Sequence, residues 1–195
     1  CNLTCSNCYI DSSPTNDALL YLTAAEAAAY LDEIAALGWA VREIGFTGGE
    51  PFMNPDVAAM LEDALARGFQ VLVLTNAMKP MQRHKAALLR LKERYGARLT
   101  LRVSVDHYAA ALHELERGAR SWVPLREGLA WLAANGFNVA VAGRTVWKES
   151  EDKLREGYRR LFAELGLAID AADKGRLVLF PEMDATLDVP EITTA

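Results

Sequence analysis

The sequence predicts an α/β fold built on a parallel sheet, and three observations carry that reading. Short runs rich in Val, Ile and Leu alternate with longer helical patterns along the chain. Glycine or proline marks most of the junctions between them. The 195 residues, 51% hydrophobic and 24% charged, have an ordinary globular composition and enough length to bury a core without crosslinks. A strand–helix unit recurring at roughly 30 residues implies parallel pairing through right-handed crossovers.

The elements follow in order. After C-N-L-T-C-S-N-C comes a polar loop, Asp11 to Asp17, holding Ser12, Ser13 and Pro14. Thr23 caps a helix to about Leu37; Glu26 completes a capping box and Gly38 stops the helix. Val41 to Phe46 reads as a strand. A helix opens at Asn54 or Pro55, runs to Arg67 and ends at Gly68. Gln70 to Thr75 is the second strand. Lys79 to Arg94 is helical, its many basic residues forming a solvated face. Arg98 to Val105 alternates as a strand does. Helices over Tyr108 to Arg117 and Val123 to Ala134 follow, the second ended by Gly136. Phe137 to Ala142 is a strand, Ser150 to Leu165 a helix and Arg176 to Phe180 a strand.

Five strands are visible, and a further strand is expected before Cys1, because the chain opens on a loop that leads into a helix. The absence of an initiator methionine is what a fragment of a longer protein would show. Six strand–helix units would make an open, partial barrel; a doubly wound sheet is the alternative.

Lys plus Arg is 21 against 26 Asp plus Glu, a formal charge of -5, which argues against nucleic-acid binding. No apolar run approaches the roughly 20 residues of a membrane helix, and no secretory signal is present. All the cysteine lies in the first eight residues: Cys1, Cys5 and Cys8. An odd count with no later partner argues against a disulfide framework and for a reducing, cytoplasmic setting. The spacing lets one loop turn its thiolates toward a common centre, as metal ligands do. Zinc wants four ligands, and His84, His107 and His113 lie far along the chain, although folding could bring one in. A four-iron cluster on three thiolates leaves one iron open to another ligand. Spacing alone leaves iron–sulfur, zinc and incidental thiols open.

In either architecture, chemistry gathers where strands end. Phe46 is followed by Thr47, Gly48, Gly49, Glu50 and Pro51. Paired glycines allow close approach to the backbone, and Glu50 could accept hydrogen bonds from an ammonium group. The plain alternative is a tight turn with an exposed glutamate. Thr75 and Asn76 end the next strand, Ser104 and Asp106 the one after, with Asp106 placed where a helix N-cap belongs. Gly143 and Arg144 follow, and the forked Arg144 could clamp a carboxylate. The last strand leads into Pro181, Glu182, Met183 and Asp184, whose carboxylates face substrate or water.

Together these residues resemble the radical S-adenosylmethionine (radical SAM) superfamily. Cys1, Cys5 and Cys8 match its C-x-x-x-C-x-x-C signature, and T-G-G-E-P at 47 to 51 matches its second motif. Ser104-Val105-Asp106 looks like its S-x-D, and Thr75-Asn76 like the T-N ending a strand. The resemblance implies a partial (β/α)6 barrel of TIM type lacking its first strand, with residues 1–195 as the core domain, truncated at both ends. It implies that the three cysteines hold three irons of a [4Fe–4S] cluster while SAM chelates the fourth. Gly48, Gly49, Glu50 and Pro51 would bind SAM, Glu50 orienting the methionine ammonium. Ser104 and Asp106 would meet the ribose or methionine part, Thr75 would also belong to the SAM site, and Arg144 would meet the carboxylate.

The implied chemistry is reductive cleavage of SAM to a 5′-deoxyadenosyl radical that takes hydrogen from a substrate, with an electron donor such as a flavodoxin or ferredoxin. The chain departs from many members in placing Asn7 before the third cysteine and an aromatic residue, Tyr9, after it. A G-x-I-x-G-type element is suggested loosely by Val139 to Thr145. The molybdopterin, PQQ and peptide-maturase branches carry C-terminal extensions with further cysteines, and none occurs up to Ala195. A structural zinc module and a catalytically inactive interaction domain are the competing readings. Nothing in the residues selects among peptide, nucleotide-derived and small-metabolite substrates.

Overall fold

The computed structural model describes residues 1–181 except 9, 17, 19 and 20. Strands β1 (Glu43–Phe46), β2 (Gln70–Thr75), β3 (Leu99–Ser104), β4 (Asn138–Arg144) and β5 (Leu177–Phe180) form one sheet in the order β1-β2-β3-β4-β5. Every neighbouring pair is parallel. An order that follows the chain has no point of reversal, so the doubly wound alternative falls and the sheet is a barrel wall. All carboxyl ends therefore lie along one rim.

Helices α1 (Ala24–Ala36), α2 (Val57–Ala66), α3 (Lys79–Arg83), α4 (Lys85–Tyr95), α5 (Ala110–Arg117), α6 (Trp122–Ala134) and α7 (Glu151–Leu165) connect the strands. The capping box of α1 is present: the Thr23 hydroxyl accepts from the Glu26 N–H at 3.2 Å and the Glu26 carboxylate from the Thr23 N–H at 2.8 Å. The helix expected over Lys79 to Arg94 is broken at His84. The His84 ring Nε2 lies 3.2 Å from the Phe52 carbonyl and the ring packs on Phe52, so a tertiary anchor replaces helical continuity there. α2 starts later than expected, at Val57, because the Asn54 side chain accepts from the Asp56 N–H at 2.9 Å and holds residues 54–56 as a turn. β4 runs on to Arg144, which pairs with Phe180.

Side-chain alternation gives the sheet two unlike faces. Val71, Val73, Leu101, Val103, Val139 and Val141 are sealed against the helices, where Leu61, Leu125, Leu129, Tyr158 and Phe162 complete the core. The other face, the inside of the barrel wall, is half-buried at Leu72, Leu74, Thr100, Arg102, Ser104, Asn138, Ala142 and Val178. One contact fixes the turn after β2 against α6. Ala77 is fully buried at φ +56°, and a Cβ on Gly128 would come within 1.9 Å of its carbonyl oxygen. Only glycine lets helix and turn meet so closely.

Candidate active site

The turn after β1 carries Gly48 at φ +139°, a conformation that favours glycine. At Gly49 a Cβ would meet Ser12 Oγ at 2.2 Å and Cys1 Cβ at 2.7 Å. The close approach permitted by the glycine pair is thus taken, at Gly49, by the cysteine segment itself. Glu50 is only 4% exposed, which overturns the exposed-glutamate alternative. Its Oε1 accepts from the Phe52 N–H at 3.2 Å and the Thr75 hydroxyl at 2.8 Å, and its Oε2 from the Asn76 N–H at 2.8 Å. Burial pushes the Glu50 carboxyl above its usual range, against those three donors and the Arg117 charge. Pro51 is buried at the start of the 3-10 turn that Glu50 caps.

Thr75 Oγ1 also accepts from the Ala77 N–H at 3.0 Å, and the Asn76 amide donates to Asn2 Oδ1 at 2.8 Å. A second anchor comes from the end of α5. The Ser6 N–H donates to the Glu116 carbonyl at 3.0 Å. Asn7 donates to the Glu116 carboxylate through its backbone N–H at 3.1 Å and its amide at 3.2 Å. Arg144 donates to the same carboxylate and, at 3.4 Å, to the Asn7 carbonyl. The loop between Cys5 and Cys8 is therefore gripped through Asn7.

The three thiols are half-buried and unpaired. The Cys8 sulfur accepts from the Ser12 N–H at 3.3 Å. Burial pushes the Cys5 thiol up, with Arg117 opposing and Asp106, Cys8 and Glu116 adding. Among the described residues no group of three or more His, Cys, Asp or Glu is gathered as closely as a single metal ion needs, the three thiols included. Three free thiols on one anchored loop fit a larger polynuclear group that spans them.

Asp106 is buried and does not cap α5: the N-cap is Ala109, with no side-chain cap bond. Instead it holds Arg117 in a bidentate pair, at 2.7 and 2.9 Å, while its carbonyl accepts from the Arg144 N–H at 3.0 Å. A forked pair out of water outweighs one backbone N–H as a partner. Ser104 lies half-buried on the inner face, in register with Ala142. Beside it, His107 Nδ1 accepts from the Ala109 N–H at 2.9 Å, which leaves the proton on Nε2, 3.4 Å from Glu149. Tyr108 and Lys153 hold the same carboxylate. Burial lowers the His107 pKa despite Glu149. Glu116, Arg117, His107 and Glu149 carry no local sequence signal; their partners are remote. Tyr9, Glu182, Met183 and Asp184 lie outside the described residues.

The cysteine triplet, the Gly-Gly-Glu turn, Thr75, Ser104, Asp106 and Arg144 thus meet along one rim. The chain is 27% identical over 192 residues to the antilisterial bacteriocin subtilosin biosynthesis protein AlbA of Bacillus subtilis (strain 168), covering 95% of this chain and 41% of that one. Streptococcus suis SuiB bound to S-adenosylmethionine superposes with a TM-score of 0.71 at 17% identity, over 95% of this chain and 39% of that one. SuiB bound to precursor peptide SuiA gives 0.66 over 85% of this chain. The chain spans about two fifths of these relatives. The fold is that of the SuiB partial barrel. A family model described as the Radical SAM superfamily matches residues 1–161, and with the rim geometry this places the chain in the radical SAM superfamily, whose enzymes work with a [4Fe–4S] cluster and SAM.

Proposed function

We propose that residues 1–195 are the core domain of a radical SAM enzyme that modifies a peptide. Cys1, Cys5 and Cys8 hold three irons of the cluster. Gly48, Gly49, Glu50, Pro51, Thr75, Ser104, Asp106 and Arg144 form the SAM side of the rim. The observation that carries this reading is the contact of Cys1 and Ser12 with Gly49, which seats the ligand loop on the Gly-Gly-Glu turn. Relatives named for bacteriocin biosynthesis and for a bound precursor peptide support a peptide substrate. A flavodoxin- or ferredoxin-like donor supplies the electron.

When bound, cluster and SAM supply one-electron cleavage of the sulfonium and a radical that takes a hydrogen atom. The chain's own residues position and shield. Glu50 Oε2 accepts one bond from the protein and can take a second from an ammonium group. Arg117 keeps the Asp106 carboxylate fixed toward the rim. Arg144 acts through Glu116, holding Asn7 and hence the ligand loop. Leu72, Leu74 and Val178 give part of the inner wall an apolar surface that keeps water from reactive species.

Anaerobic reconstitution tests this. Wild type is expected to hold about four iron and four sulfide per chain, and Cys5→Ala to lose them. Glu50→Ala is expected to keep iron but bind SAM about ten- to a hundredfold more weakly, as loss of a charge-assisted contact of roughly 1.5–3 kcal/mol requires. Full iron content in Cys5→Ala overturns the assignment. Zinc without sulfide supports the structural module, and a loaded cluster that never cleaves SAM supports the inactive domain.

A further inference from the structure

Two arginines on the inner wall have no carboxylate partner among the described residues. In this acidic chain Arg67, Arg117, Arg126, Arg144 and Arg155 each meet a carboxylate. Arg102, midway along β3, meets none among the described residues, where its buried Nε makes no hydrogen bond. Arg176, just before β5, bonds only to the neutral Asn138 side chain among the described residues. Asn138 is held in turn by its amide on Thr100 Oγ1 at 2.6 Å.

Register places the two arginines side by side. Arg102 is opposite Ala140 in β4, and the Arg176 carbonyl accepts from the next N–H of that strand, Val141, at 2.7 Å. With strands about 4.8 Å apart, the two backbones flank Ala140 at a separation of about 10 Å. Arginine side chains reach far enough to share one anion across that gap. Ala140 between them is buried, and its small side chain does not separate them. No inward position of β2 to β5 is Asp or Glu. A buried guanidinium N–H without a partner costs stability, so a fold that keeps one has a use for it.

The geometry points to an anion subsite formed by Arg102 and Arg176 on the inner wall, taking the carboxylate of an acidic residue in the substrate peptide. The assignment rests on the enzyme reading above and deepens it. Arg102 lies one two-residue step below Ser104 on the same face, about 7 Å deeper than the rim. A substrate anchored there by its carboxylate extends its neighbouring carbons toward the rim, where the hydrogen atom is removed. The forked guanidinium suits a carboxylate by two parallel N–H donors.

The probes are acetyl-Gly-Glu-Gly-amide, its Gln counterpart and inorganic phosphate, followed by saturation-transfer NMR on the protein with and without cluster and SAM. The glutamyl probe is expected to bind at least tenfold tighter than the glutaminyl probe. Arg102→Gln should abolish that preference and Arg176→Gln reduce it, with iron content and SAM affinity unchanged. Equal binding of the two peptides overturns the subsite, as does tighter binding of phosphate or a preference that survives Arg102→Gln. A fall in SAM affinity in Arg102→Gln assigns the residue to the SAM site instead and also overturns it. Because the preference is read on unloaded protein too, a wild-type chain that binds no SAM yet keeps it sinks the enzyme reading and leaves the subsite standing. Arg102→Met gives a readout without ligand: melting temperature should hold or rise, and a clear fall marks a purely structural arginine.

Discussion

Between the sheet and helices α6 and α7, Leu101, Val103, Leu125, Leu129, Tyr158 and Phe162 are sealed from water and, apart from one phenol, wholly apolar. At the rim of the same sheet Glu50, Asn76, Asp106, His107 and Glu116 are sealed as thoroughly and are polar. The first region gains by transfer of apolar surface, which is non-directional and tolerates exchange of one hydrocarbon for another of similar volume. The second has to satisfy each buried donor and acceptor individually, at best roughly breaking even against desolvation. Helix-side residues make the fold stable. Rim residues draw on that stability to hold polar groups where chemistry needs them.

The largest expected effect lies in the core. Leu129→Ala removes a fully buried side chain and should cost about 2–5 kcal/mol. Urea unfolding measures it, while thiol reactivity of the native state should be unchanged. A cost under about 1 kcal/mol would break the contrast by showing that this side is loosely packed.

His113 tests the border between the regions. It is buried against Trp122, its Nδ1 has no partner among the described residues, and burial depresses its pKa to about 4. Asp106 and Glu114 pull the other way, and Arg117 and His107 add to the depression. A histidine that stays neutral when folded but titrates near its usual 6.5 when unfolded leaves stability intact above pH 6.5. That stability is lost as pH falls from 6.5 toward 4, up to roughly 3 kcal/mol. His113→Gln should flatten this slope in unfolding curves taken between pH 7 and 4.5; an identical slope assigns the loss to other groups.

Gly49→Ala should change global stability least and the rim most. Its Cβ would collide with Ser12 Oγ and Cys1 Cβ, which belong to a surface loop and can retreat. Alkylation of Cys1, Cys5 and Cys8 is expected to speed up severalfold with little shift in the urea midpoint. Unaltered thiol kinetics would mean that the loop does not rest on this turn.

The strands and the capped first helix were legible because their signals are local: apolar alternation, Thr23 with Glu26, glycine at helix ends. Glu50, Thr75, Ser104 and Asp106 could be placed at strand ends from the sequence, and parallel strands put those ends along one rim. The His84 break was not legible, because its cause is Phe52, 32 residues away. The plain alternative for Asp106, a helix cap, fails because its partner Arg117 lies 11 residues on, across a whole helix. Glu116 was invisible for the same reason: its value depends on Asn7, at a separation of 109 residues.

That last separation bears on how the molecule assembles. A wall whose strand order copies chain order can grow by adding each strand to the one just made, with modest loop closures throughout. The grip of Glu116 on Asn7 has no such shortcut, since everything through α5 must exist before it can close. The thiols, more than a hundred residues ahead of their anchor, are thus made well before they can be docked, and until α5 arrives they remain accessible.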